Sequence, residues 1–493
     1  MSNHHGSNHA PTLQFLGGVG TVTGSKFCVR TADASVLVDC GLYQGHRELR
    51  ARNWEDPNLS IGALDAVVIT HAHVDHCGYL PRLVKSGFTG PVYVTAPTAR
   101  LISIVLPDSA HLQEEEATYA NRKGYSRHDP ALPLYTQEDA YRALELLRPI
   151  DLQTPTVIAD GIELTFSRSG HILGSASATL RLVDPNGSGD PVSRDHGITV
   201  CFSGDLGRPS HPFLVAPDPP PESDWILVES TYGDRRHDDE GTLETLASVI
   251  NTTIERGGSV LIPAFAVDRT EVILFHLAAL MADGRIESDI PVYVDSPMAI
   301  DALRVYRDEV DRSGPDIRPS VVAAAARGED PFIVPGLQEV RDIEGSIALN
   351  NPTRPCIIIS AAGMASGGRV VHHLAHMLPE RRNTVVLVGY QAEGTRGRQL
   401  VDGAPELKML GRYVRVRAQI VDLPAFSVHA DAGELVDWVR SAPSEPEGVF
   451  VVHGESDASA ALAEAISSEL DWGAITPRPG EKVRLDRWTR SPA

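Results

Sequence analysis

Five short apolar runs constrain this chain more than any other feature of it. They are Ser35-Val-Leu-Val-Asp39, Ala66-Val-Val-Ile-Thr-His71, Ile198-Thr-Val-Cys-Phe-Ser-Gly-Asp205, Trp225-Ile-Leu-Val-Glu229 and Val449-Phe-Val-Val-His453. Continuous runs rich in Val and Ile, four to six residues long, read as strands covered on both faces. Each closes on a side chain that can bind metal. A polar residue often simply ends a strand, and that would explain one or two of these. Five of one kind point instead to a layered α/β protein that builds its site where strands end.

At 493 residues the chain is too long for one ordinary domain and fits two or three. Hydrophobic residues at 42% and charged residues at 22% leave ample material for a buried core. No run approaches the roughly 18–20 apolar residues of a membrane span, and the polar start lacks a signal-peptide pattern. The five cysteines are an odd number without a Cys-x-x-Cys pair, which suits reduced thiols in the cytoplasm. A net charge of −21 argues against gripping duplex nucleic acid with a basic surface, but leaves room for local neutralisation of a few phosphates.

The proline cluster Ala216-Pro-Asp-Pro-Pro-Pro marks a boundary. Beyond it, strand patterns at Ser259, Val292, Cys356 and Thr384 each precede a helix or a glycine-rich loop, the order of a doubly wound parallel sheet. After about 415 the strand-ended histidines return. The expected organisation is therefore an outer domain over 1–215, an inserted domain over 216–415, and completion of the outer domain by 416–493.

His71-Ala-His73-Val-Asp75-His76 is the strongest local signal. In an extended segment His71 and His73 project to one side. As the chain turns into a helix, Asp75 and His76 are aimed elsewhere, so four donors in six residues can serve two adjacent ions. Imidazole and carboxylate without thiolate suit Zn²⁺, with Mn²⁺ or Fe as alternatives. Further donors stand at His171, within Ser169-Gly-His-Ile-Leu-Gly, at Asp205, a carboxylate able to bridge two ions, and at His453.

This set resembles the metallo-β-lactamase superfamily, whose αββα fold carries an H-x-H-x-D-H motif. Glu229-Ser-Thr-Tyr-Gly233, Ser427-Val-His-Ala-Asp431 and Val452-His-Gly-Glu455 look like the three motifs of its β-CASP nucleases, a group that includes the pre-mRNA 3′-processing endonuclease subunit and ribonuclease J. Seven motifs match in order over nearly the whole chain. The resemblance implies an α/β protein in which a metallo-β-lactamase domain holds an inserted β-CASP domain. It implies two Zn²⁺ per chain, one on His71, His73 and His171, the other on Asp75, His76 and His453, with Asp205 as bridge. Asp39 would orient a ligand histidine or the loop. His429 would give a proton to the leaving oxygen, and Glu229 would fix its tautomer and favour its protonated form. Asp75 and Asp205 complete the catalytic set. The implied activity is a ribonuclease on single-stranded RNA that leaves 3′-hydroxyl and 5′-phosphate ends, with no membrane partner and at most a second copy of the chain as a homodimer. The alternatives are a nuclease acting on DNA and a non-nuclease hydrolase on the same scaffold.

Backbone phosphates have candidate binders in the inserted domain. Ser366, Gly367, Gly368 and Arg369 open a helix after a strand, Arg396 and Arg398 share a glycine-rich loop, and Arg269 begins a helix after Phe265, which could stack on a base. Each of these loops also reads as a tight turn with a surface arginine. Two signals are set aside. Gly17-Gly-Val-Gly-Thr-Val-Thr-Gly24 has the wrong spacing for a dinucleotide loop and reads as a hairpin turn, and His4, His5 and His9 lie in a polar terminus.

Overall fold

The computed structural model describes residues 10–124, 128–183 and 197–486; His4, His5 and His9 lie outside them. Two seven-stranded sheets pack face to face. One runs in the order Lys482–Arg484, Thr12–Gly17, Lys26–Arg30, Ser35–Val38, Ala66–Val68, Val92–Val94, Leu147–Pro149. The other runs Ala474–Ile475, Gly448–Val452, Trp225–Glu229, Ile198–Phe202, Ala176–Leu182, Ile162–Arg168, Thr156–Ala159. Each is antiparallel in one half and parallel in the other. The five apolar runs lie in the parallel halves or border them, so their polar ends gather at one edge of the sandwich.

Between the sheets lies a core of Phe15, Phe27, Val36, Val38, Val68, Phe166, Leu180, Phe202, Leu227 and Phe450. Its rings meet edge-on or tilted at 5.1–6.2 Å, and each fully buried side chain of this size stabilises by about 1.5–3 kcal/mol. Odd and even residues divide cleanly. Ile226, Val228, Val449 and Val451 face outward beneath helices Ala432–Arg440 and Ser456–Leu470, while Leu227 and Phe450 face inward. This explains why these runs carry no polar alternation.

A third sheet is wholly parallel, in the order Leu337–Glu339, Val292–Val294, Ile357–Ser360, Val260–Pro263, Thr384–Val388, Gln419–Leu423. Val260, Ile262, Ile357 and Ile359 face one apolar layer, and Leu261, Ile358, Val385 and Leu387 face the other. Helices such as Arg269–Ala282 and Pro297–Asp311 cover the first face and Val370–Met377 the second. The α/β class holds, with a two-sheet sandwich and an inserted doubly wound parallel sheet.

Strand membership departs from the expected boundaries in two places. Trp225–Glu229, within the range expected for the inserted unit, pairs in parallel with Ile198–Phe202 and Gly448–Val452 inside the sandwich. The proline cluster before it is tied to the sandwich: Asp218 N donates to Arg168 O at 2.9 Å and its carbonyl accepts from Trp438 Nε1 at 2.9 Å. Gln419–Leu423, within the range expected for the returning segment, pairs with Thr384–Val388 at the edge of the third sheet.

Candidate metal centre

Strand ends and one short helix set the side chains of the centre. Asp39 follows Ser35–Val38 in a left-handed conformation (φ 58°), and His453 follows Gly448–Val452 at φ 48°. Both turns aim a side chain sideways off the strand. Asp205 is released by Gly204 at φ 58°. His71 lies three residues past strand Ala66–Val68, and His73 caps the short helix Val74–Cys77. That helix ends at Gly78, and a second, Leu80–Lys85, follows. Gly41 permits the motif to lie close: a Cβ there would stand 1.5 Å from Asp75 O.

The donors form two groups. His71 Nε2 and His171 Nε2 lie 3.2 and 3.3 Å from His73 Nδ1, and 3.5 and 3.7 Å from Asp205 Oδ2. In the second group His76 Nε2 lies 3.2 Å from both His453 Nε2 and Asp205 Oδ1, and Asp75 Oδ2 lies 3.6 Å from His453 Nε2. Asp205 turns one oxygen toward each group. A tetrahedral ion held at about 2.0–2.1 Å spaces its donors about 3.3 Å apart, so these spacings fit metal binding. His453 Nδ1 approaches Asp205 Oδ1 to 2.9 Å but without hydrogen-bond geometry, which leaves both atoms buried and unbonded. Buried polar atoms without partners are costly, and a cation in the second group would relieve Asp205 Oδ1.

Electrostatics agree. Burial, then neighbouring rings, holds His71 and His171 well below the ordinary imidazole range, and burial pushes His73 down to about 4. These rings are neutral, as ligands must be. Burial would also lower His76 and His453, but nearby carboxylates outweigh it. Asp205 and Asp39 hold His76 well above its usual range, and Asp205 with Asp75 raises His453 to about 10. Buried negative charge here draws positive charge in.

Asp39 stands behind both donor groups. Its Oδ2 lies 2.7 Å from His76 Nδ1, and its Oδ1 accepts from Thr70 N at 2.8 Å. Thr70 Oγ1 in turn lies 3.1 Å from His71 Nδ1, so one carboxylate orients a histidine in each group. Sequence reading missed Thr70, which has no signal beyond preceding His71. It also set aside the Gly17–Gly24 loop. That loop is a hairpin turn between Thr12–Gly17 and Lys26–Arg30, as read, but it belongs to the site's frame: Gly18 O accepts from His453 N at 2.7 Å.

His429 stands beside both groups. Its Nδ1 donates to Glu229 Oε1 at 3.0 Å, which leaves Nε2 facing Asp205 Oδ2 at 4.0 Å. Glu229 is fully buried and also accepts from Leu206 N and Thr231 N. His237, absent from the sequence reading, donates through Nε2 to the His429 carbonyl at 3.1 Å. Asp431 caps helix Ala432–Arg440 in a reciprocal box with Glu434 and accepts from His237 N.

A cavity of about 510 Å³ opens from the donors toward the third sheet. Of the expected phosphate binders, Ser366, Arg269 and Arg396 line it, together with Phe265. The other four do not. Arg369 Nη1 is committed to Asp295 Oδ1 at 2.6 Å and to Val340 O, and Arg398 Nε pairs with Asp402 one helical turn on. Gly368 is a left-handed turn residue (φ 70°) and Gly367 faces open space.

Comparison with known proteins follows this division. Residues 22–243 match the metallo-beta-lactamase superfamily, 270–400 the Beta-Casp domain, and 413–477 the Zn-dependent metallo-hydrolase RNA specificity domain. A protein named as a ribonuclease from Thermus thermophilus is 35% identical over 92% of this chain and 95% of its own length. A transcription termination factor, FttA, and an RNase J-like protein, both from Methanocaldococcus jannaschii, are each 31% identical. They align over 96% and 95% of this chain, and 71% and 98% of their own lengths. A solved structure of a protein of unknown function from Enterococcus faecalis shares the fold, with a TM-score of 0.51 at 16% identity over 97% of this chain and 100% of that one. Among the described residues no helix is long and apolar enough to cross a membrane. The chain belongs to the β-CASP family of the metallo-β-lactamase superfamily.

Proposed function

We propose that this protein is a zinc-dependent ribonuclease that hydrolyses phosphodiester bonds of single-stranded RNA, in processing or decay within the cytoplasm. The observation that carries the reading is the pairing of a metal-fit donor set with His429, a ring whose Nδ1 is bound to a buried carboxylate and whose Nε2 faces Asp205. The ribonuclease from Thermus and the RNA specificity domain that this chain resembles support the choice of RNA.

Two Zn²⁺ in the two donor groups, with Asp205 between them, would supply charge for the phosphoryl oxygens and lower the pKa of a water toward neutrality. The protein's own residues do the rest. Asp39 and Thr70 keep the histidine rings turned to the ions. Glu229, held by two backbone N–H groups, fixes the His429 tautomer so that Nε2 serves the reacting centre. His429 Nε2 gives its proton to the departing 3′ oxygen, which leaves a 3′-hydroxyl and a 5′-phosphate. Arg269, Arg396 and Ser366 contact the strand from the inserted unit.

The test is single-stranded RNA labelled at its 3′ end, with a 5′ monophosphate or a 5′ hydroxyl, beside DNA of the same sequence. Wild-type protein is expected to cut RNA, and His429→Ala to cut it about 10²–10⁴-fold more slowly with its metal content intact. Internal bands indifferent to the 5′ group mark an endonuclease, whereas loss of full-length RNA without intermediates, faster with a monophosphate, marks a 5′ exonuclease. Equal cleavage by both proteins would remove His429 from the mechanism, and cleavage of DNA alone would overturn the choice of RNA.

A further inference from the structure

The wall of the cleft carries Arg50, Arg269, Arg396 and Lys408, and among the described residues its only acids are Asp75 and Asp205 of the metal centre. On a chain of net charge −21 this is a concentrated positive surface. Three of the cations come from separate elements: Arg50 from helix Arg47–Ala51, Arg396 from helix Arg396–Val401, and Lys408 from strand Glu406–Met409. They converge although nothing in local structure requires it.

Arg396 is held in place without being neutralised. Its Nε donates to Lys408 O at 3.1 Å and its Nη1 to Ala365 O and Ser366 O at 3.3 and 3.2 Å. Its Nη2 makes no hydrogen bond or ion pair among the described residues. Burial, and after it the positive charge of Arg50, disfavours its charged form. Neither Arg50 nor Lys408 is paired with a carboxylate there. By contrast, Arg369, Arg398 and Arg208 each are. Like charges brought together without an acid repel unless an anion lies between them. Arg269 adds an independent sign from within the same cleft: it is 4% exposed, and its Nε and Nη1 have no hydrogen-bond partner among the described residues. A guanidinium fork with an open edge suits a phosphate oxygen.

We propose that Arg50, Arg396 and Lys408 form a phosphate grip at the mouth of the cleft, holding a backbone phosphate of the strand away from the bond being cut. The inference deepens the ribonuclease reading and rests on it. The grip adds affinity and register and no chemistry. Substrates too short to reach it escape its influence.

The test measures binding of a fluorescent single-stranded RNA, and of DNA of the same sequence, to the full chain carrying His429→Ala so that turnover is slow. Affinity is followed against salt concentration. Arg50→Gln and Lys408→Gln change exposed residues and do not threaten folding. Each is expected to lower the slope of log K against log salt by about 0.7, the counterion share of one phosphate contact on a single strand. With His429 restored, each raises KM on a long RNA and leaves kcat unchanged. If wild-type slope and KM persist in both variants while the protein still cuts RNA, the grip is overturned and the ribonuclease reading stands. A lowered slope on DNA with no cleavage of RNA upholds the grip and overturns the RNA reading. Absence of binding to either strand overturns both.

Discussion

Two buried aspartates, each at the end of a parallel strand and each touching imidazole, behave differently. Asp205 ends Ile198–Phe202 through a glycine turn and meets the rings of His71, His76, His171 and His453. Asp295 directly follows Val292–Val294 in the third sheet and accepts from His373 Nε2 and Ser346 Oγ at 2.6 Å, and from Arg369 Nη1 at 2.6 Å. Asp295 has a permanent cation of its own and every oxygen bonded. Asp205 has only rings that can be neutral, and its Oδ1 has no hydrogen bond. A buried carboxylate with an internal guanidinium is part of the fold, whereas one ringed by imidazole lone pairs recruits its cation from outside. Proximity of acid and histidine alone does not separate the two cases.

Exchanging each carboxylate for its amide sharpens this contrast most. Asp205→Asn is expected to lose bound metal and to drop cleavage to background. Asp295→Asn should keep the metal content and kcat of the wild type but unfold more easily by about 3 kcal/mol, since it breaks a buried pair and strands Arg369. Burial would raise the Asp295 carboxyl, but bonds from His373, Ser346 and Arg369 outweigh it and hold it below its ordinary range. Its contribution to stability is therefore full above the unfolded carboxyl pKa of about 3.9 and is lost as pH falls through the lower folded value. Metal analysis with urea unfolding at pH 7 reads both effects. Loss of metal in Asp295→Asn would collapse the distinction.

A smaller effect tests how far the centre depends on what lies behind it. Asp39→Asn removes the carboxylate that touches His76 and, through Thr70, His71. Metal affinity should fall about 10–100-fold, measured by competition with a chelator, while far-ultraviolet circular dichroism stays unchanged. Unchanged affinity would reduce Asp39 to a turn residue.

The metal centre was legible because its spacing is local. His71 to His76 lie within six residues, and Asp39, Asp205, Glu229 and His453 each sit beside a strand whose apolar run marks its end. What organises the centre from behind was not. Thr70 and the Gly18 carbonyl act through atoms that any residue could offer. The expected arginines divide, with Arg269 and Arg396 in the cleft and Arg369 and Arg398 outside it, because a long side chain takes partners that its own sequence neighbourhood does not name. Arg369 reaches Asp295, and Arg50, outside any motif, reaches the neighbourhood of Arg396. Strand Trp225–Glu229 was misplaced for the same cause, since nothing local to it names its partner strands.

Arg369 and Arg398, alike as arginines after glycine in the sequence, give the most discriminating test. Arg369→Gln removes the cation of a buried carboxylate and should destabilise the protein markedly, with KM for RNA unchanged because the side chain does not line the cleft. Arg398 and Asp402 form an exposed pair one helical turn apart, 3.0 Å between Nε and Oδ1. Such pairs contribute about 0.3–0.5 kcal/mol, so Arg398→Gln should barely move the urea midpoint and should leave KM and the salt slope where they were. If Arg398→Gln instead raised KM as Arg50→Gln is expected to, its guanidinium would have to leave Asp402 and turn into the cleft when RNA is bound, and the division between structural and substrate-facing arginines would then depend on the substrate.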